Sequence, residues 1–278
     1  MKHPLGTIVM AWLWLCLALV AQAAPAQEFM LDNGMKIIVK EDHRAPTVAH
    51  MVWYRVGAVD EKNGTTGVAH ALEHMMFKGT KTLKAGEFSR RVAELGGREN
   101  AFTSSDYTAY FQQIEKSHLS EVMALEADRM ANLVFDASEF SQEIKVVMEE
   151  RRLRTDDQPG AQVYEALNAA TFVAHPYHHP VVGWMNDLQN MTVQDVKAWY
   201  DAWYAPNNAT LIVAGRCRCR RGAGAGHEIL RFDSGAHAAV AQAADRAGAT
   251  RHTARDDPGA RGKPVCDAGV QGADTARG

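Results

Sequence analysis

The chain reads as an α+β domain, a sheet with helices packed on one face. Three observations predict this. Short apolar runs bounded by turn residues mark strands near both ends of the ordered pattern. Longer segments with apolar residues at helical spacing lie between them. The strands come in runs with helices between pairs, so a simple alternation of strand and helix is absent.

The elements follow in order. Phe29-Met30-Leu31 and Ile37-Ile38-Val39 flank Asp32-Asn33-Gly34, a hairpin turn signal. Residues 48–56 form the next strand. Gly64-Thr65-Thr66-Gly67 looks like a helix start with a threonine hydroxyl as N-cap, and Val68, Leu72, Met75 and Met76 give that helix an apolar stripe. A helix is expected over residues 85–95. Residues 99–103 and 107–114 read as an antiparallel pair. Helices fit residues 119–133, 139–154, 162–172 and 193–204, the second of them capped by Ser138. Residues 210–214 make a last strand. His175, His178 and His179 sit among Pro176 and Pro180, which reads as a loop with structural or substrate-side roles.

Composition narrows the class. The 278 residues suit one or two domains, and a net charge of −3 gives no argument for a nucleic-acid partner. Lys2 and His3 precede an apolar run, Ile8 to Val20, followed by Ala21-Gln22-Ala23-Ala24-Pro25-Ala26. That is the layout of a secretory signal, expected over residues 1–26. The run is short for a membrane span of about 20 residues, so no stable span is expected after cleavage. The mature chain would be exported, and periplasmic in a Gram-negative cell. Residues 27–215 contain no cysteine, which excludes a disulfide scaffold or a thiolate metal site there.

The chemistry concentrates in His70-Ala71-Leu72-Glu73-His74. On a helix, positions i, i+3 and i+4 share a face. Two imidazoles one turn apart can grip one zinc ion, and the carboxylate between them can take the proton of a water held there. A catalytic zinc needs a third protein ligand. The best source is the helix over residues 139–154. There Glu143 and Glu150 lie seven apart on one face, while Glu149 points about 100° away from Glu150. Spacing leaves Glu143 and Glu150 both open. Asn100-Ala101-Phe102-Thr103 reads as a short strand that could pair with an extended peptide.

These stretches together resemble the pitrilysin family of zinc metallopeptidases, which includes insulin-degrading enzyme and the mitochondrial processing peptidase. The resemblance covers about residues 28–215. It rests on Leu31 to Lys36, His70 to Thr80, Glu99 to Tyr110, Val146 to Arg152, His175 to Trp184 and Tyr204 to Gly215. It implies a mostly antiparallel half-domain of the pitrilysin type with one zinc ion. Its ligands would be His70, His74 and Glu150, with Glu73 as general base. Glu143 would be a further catalytic acid beside the ligands, and Asn100 and Ala101 would bind substrate. The substrate would be a peptide or unfolded protein. A second domain or subunit would close the site.

After Gly215 the composition shifts. Residues 216–278 hold 10 Gly, 15 Ala and 10 Arg, with Phe232 the only aromatic, and read as a disordered tail. Codons that spell Gly215 to Cys219 can be read one base later as Gly-Asp-Val-Asp-Ala, a common family continuation. Two further matches occur in that frame. The tail is therefore expected to be a frameshifted product, with Cys217 and Cys219 no metal motif. The leading expectation is a zinc endopeptidase missing its second half. A non-catalytic peptide-binding subunit or an inactive truncated product is the alternative, against which the complete His70, Glu73, His74 and Glu150 set argues.

Overall fold

The structure, a computed structural model, describes residues 25–224 and 227–232. The expected signal segment lies outside them except for Pro25 and Ala26. Six strands form the main sheet: β1 (Gln27–Met30), β2 (Lys36–Glu41), β3 (Thr47–Tyr54), β4 (Arg98–Thr103), β5 (Thr108–Glu115) and β6 (Ala209–Gly215). Their order is β1-β2-β6-β3-β5-β4. Only β2 and β6 run parallel; the other neighbours are antiparallel. The expected mostly antiparallel α+β sheet is thus present, with β4 at one edge.

Seven α-helices are described: α1 (Val68–Met75), α2 (Glu87–Glu94), α3 (Leu119–Asn132), α4 (Ala137–Arg151), α5 (Pro159–Thr171), α6 (Met185–Asn190) and α7 (Val193–Trp203). Strand β3 shows how they sit. Val48, His50, Val52 and Tyr54 are buried while the alternate residues stay partly exposed, the period of two for a sheet covered on one face. That buried face joins Ile37, Val39, Tyr110 and Ile114 to helical Leu72, Met75, Val122, Val196 and Tyr200 in one core.

Four local expectations change. The first concerns α1, whose N-cap is Gly67 in the left-handed conformation (φ 85°) with no side-chain cap. The threonine hydroxyls lose that place because a carboxylate from outside the turn takes the free amides. The second concerns α4, which is capped by Asp136, whose side chain accepts from the Ser138 and Glu139 amides. Its α-helical part stops at Arg151 and continues as a π-type turn, Arg152–Asp156. The short helix α6 was not foreseen, since few of its residues are apolar. Finally, the chain stays packed past Gly215: the Arg216 amide donates to Thr47 O, and Cys217 is buried in the core. Beyond it, β7 (Cys219–Gly224) and β8 (His227–Phe232) pair antiparallel as a separate ribbon, and the rest of the expected tail lies outside the described residues.

Candidate metal centre

Helix α1 packs against α4, and β4 lies beside α1. This arrangement brings one ligand atom each from His70, His74 and Glu150 within 4.8 Å of one another. His74 Nε2 is 3.3 Å from one Glu150 oxygen, and His70 Nε2 is 3.7 Å from the other. The two imidazole rings meet edge to face, 4.8 Å between centroids.

Glu143 is not at that meeting point. Its Oε1 lies 2.9 Å from His74 Nδ1, and its other oxygen pairs with Lys78. In the neutral tautomer protonated at Nδ1, that nitrogen donates to Glu143 and Nε2 is left with a lone pair for a metal. The other ring nitrogen, Nε2, is turned to Glu150, so the two nitrogens of His74 stand against two different carboxylates. A cation bound there would sit between Nε2 of each imidazole and the Glu150 carboxyl. Zinc at bond lengths of about 2.0–2.1 Å places its ligand atoms about 3.3 Å apart, close to the separations seen. Two imidazoles and a carboxylate are a donor set suited to zinc.

Electrostatics agree with the geometry. Burial, then the neighbouring His74 and Arg154, pushes His70 down to about 3, so its ring is neutral near pH 7 and free to ligate. Burial opposes ionisation of Glu143, yet the hydrogen bonds from Lys78 and His74 hold its carboxyl below the usual range. Glu73 goes the other way. Burial raises it in spite of the Thr103 hydroxyl, which donates to its Oε2 at 2.5 Å. Arg154, in the π-type turn, lies 2.6 Å from Glu150 and provides the charge partner there.

All of these groups open on one cavity of about 1000 Å³. Asn100, Ala101, Phe102 and Thr103 of the edge strand β4 line one side. Across it stand Tyr164 and the segment from Tyr177 to Val182. His178 and His179 therefore do border the site, although His179 is held back by Asn63 Oδ1 at 2.9 Å and does not join the ligand cluster.

Residues 36–183 match the family described as Insulinase (Peptidase family M16). The chain belongs to that family. Among insulinase-family relatives it is 40% identical to the zinc protease PqqE of Helicobacter pylori over 186 residues, 66% of this chain and 42% of that protein. It is 26% identical to a probable mitochondrial-processing peptidase subunit beta of Arabidopsis thaliana, covering 66% of this chain and 35% of the other. The crystal structure of a protease from Helicobacter pylori is similar at a TM-score of 0.68 and 38% identity, over 70% of this chain and 47% of that one. The first half of the periplasmic protease PqqL from Escherichia coli matches at a TM-score of 0.63 and 28% identity, over 70% and 44%. The chain thus spans less than half the length of the curated relatives it matches.

Within this insulinase-family site, sequence reasoning passed over Lys78 and Thr103. Each makes its contact with a residue far away in the chain, and neither shows a spacing signal. Thr103 had one indirect clue: it ends the strand expected to bind substrate. No helix of the described residues is long and apolar enough to cross a membrane.

Proposed function

We propose that this chain is the metal-bearing half of a zinc-dependent endopeptidase. The convergence of His70, His74 and Glu150 from two helices, beside a buried glutamate and an edge strand, carries the reading. A zinc ion bound there supplies Lewis-acid polarisation of the scissile carbonyl and lowers the pKa of a water toward about 7.

The protein's own groups do the rest. Glu73 takes a proton from the attacking water and passes it to the leaving amine. Its raised pKa suits it to hold that proton in between. Thr103 ties down one Glu73 oxygen and leaves the other for the proton. Glu143 holds the His74 ring in one tautomer and orientation. An extended peptide adds to the free edge of β4 along Asn100 and Ala101. Main-chain pairing of that kind tolerates many sequences, which suits peptides and unfolded proteins as substrates.

A second domain or subunit closes over the cavity. Helix α5 supports this, because it has no buried residue and exposes Val163, Tyr164 and Leu167 beside the site. The signal-like N-terminus and the periplasmic PqqL relative support export to the periplasm. The composition break after Gly215 supports the frameshift reading; sequencing the gene across that codon tests it, and one intact frame would overturn it.

Zinc-loaded full chain, with and without Glu73→Gln, assayed on an unstructured peptide, tests the mechanism. The substitution lowers cleavage by about 10²–10⁴-fold. Activity that survives it removes Glu73 as the base. Tight zinc binding without any cleavage favours the inactive truncated product.

A further inference from the structure

Two of the buried carboxyl groups outside the ligand set, neither with a part in the reaction above, belong to Glu61 and Asp187. Glu61 follows the short 3₁₀ turn Ala58–Asp60, and Asp187 lies on α6. Both are nearly inaccessible, 5% and 8% exposed. Among the described residues, no ion pair involves either. Both turn instead toward the start of α1.

Glu61 Oε2 accepts the Gly67 amide at 2.8 Å, and its Oε1 accepts the Ala69 amide at 2.9 Å. Asp187 Oδ2 accepts the amides of Gly64 and Thr66 at 3.2 and 3.1 Å and the Thr66 hydroxyl at 2.6 Å. The same hydroxyl accepts the Trp184 amide at 2.9 Å. The first turn of a helix has free amides, and carboxyl oxygens can accept from them in either protonation state. Gly67, the N-cap, has no side chain to supply one.

The same place is also a packing joint. A Cβ on Gly67 would meet Gly183 Cα at 2.8 Å, and one on Gly183 would meet Gly67 Cα at 2.7 Å. The two backbones touch where no side chain fits. Gly183 O accepts from Arg151 at 3.0 Å, and Arg151 directly follows the ligand Glu150. Helix α1, with His70 and His74, and helix α4, with Glu150, are thus referenced to one turn.

We infer that Glu61 and Asp187 are positioning residues for the metal helix: they set the rotation of α1 and hence the reach of both imidazoles toward Glu150. The inference rests on the zinc reading above. Groups bonded directly to metal ligands change affinity by about 10–100-fold when altered, and Glu61 and Asp187, which hold the backbone of α1 instead, are expected at the low end of that range.

Glu61→Gln and Asp187→Asn in the full chain test this. Zinc affinity is read by competition with a chelator, and ligand geometry by the absorption bands of the cobalt-loaded protein. Val39→Ala, remote from the joint, serves as a control for simple destabilisation. Each carboxylate variant is expected to lose about tenfold in zinc affinity and to shift the cobalt bands, while the control keeps both. Should either variant fail to fold, Thr66→Val removes one contact of Asp187 and Thr66→Ser restores it; affinity should fall and recover in step. Wild-type affinity and an unchanged spectrum in the folded variants overturn the inference. Zinc binding unaffected by His74→Ala would instead overturn the metal site itself.

Discussion

Two of the buried clusters of ionisable groups among the described residues are built on opposite principles. Beneath the sheet, Glu126 accepts from Arg129 at 2.9 and 2.7 Å and from Gln112 at 3.1 Å, and Gln112 Oε1 is 2.7 Å from His50. The Arg129 guanidinium lies over the rings of Phe88 and Tyr110, 4.2 and 4.4 Å from their centroids. Each charge there has its counter-charge within the protein. At the junction of α1 and α4, by contrast, the Nε2 atoms of His74 and His70 stand 3.3 and 3.7 Å from the Glu150 carboxyl and open on a cavity. The first cluster closes its ion pair within the core, and the second presents three metal-ligand atoms to a cavity. Burial of polar groups does not by itself mark a functional site; ligand-type atoms converging on a cavity do.

Breaking the complete cluster has the largest expected effect. Arg129→Leu strands Glu126 in the core and costs about 3–5 kcal/mol, measured by urea unfolding of the metal-free protein. Adding Glu126→Leu recovers most of that loss. If Arg129→Leu unfolds at the wild-type midpoint, the cluster is not the self-compensated unit described here.

The open cluster gives the next largest response. Zinc at 100 times its Kd stabilises the wild type by about 2.7 kcal/mol, seen as a rise in melting temperature. His74→Ala and Glu150→Gln should show no such rise while the metal-free proteins melt near the wild-type temperature. An equal rise in these variants separates zinc binding from this site.

The third test is pH. Burial, opposed by the Ala69 and Gly67 amides and reinforced by Asp60 and Asp187, pushes Glu61 up from 4.5 to about 8. The folded state therefore keeps a proton that the unfolded chain releases. The stabilisation is complete below about pH 4.5 and is lost as pH rises toward 8. Relative to Glu61→Gln, the wild type should lose at least about 1.4 kcal/mol over that window, the worth of one pKa unit. A constant difference between the two in paired melting curves contradicts the shift.

The smallest effect concerns the contact of Thr103 with Glu73. Thr103→Val should lower kcat about tenfold with KM unchanged, the worth of one hydrogen bond to a charged group, and Thr103→Ser should restore it. A rise in KM alone would place Thr103 in substrate binding.

Much of the site could be read from spacing. His70 and His74 had to share a helix face, and Glu143 and Glu150 had to share another. Spacing alone did not separate those two glutamates, because both face α1; the resemblance chose Glu150, and the structure brings Glu150 to both imidazoles and Glu143 to the far nitrogen of His74. The caps of α1 and α4 were misplaced for a simple reason. Several hydroxyl and carboxyl side chains near each start compete for the same amides, and the winner depends on how the chain turns before the helix.

The local pattern of this chain is enough to establish its α+β class, its apolar stripes and the i, i+4 pair of imidazoles, because these follow from periods of two and 3.6 residues. Which acid stands behind His74, why Thr103 meets Glu73, and how Glu61 and Asp187 reach the first turn of α1 were decided only by the packed fold. Those contacts join residues 6 to 123 positions apart, and no local period carries information over such distances.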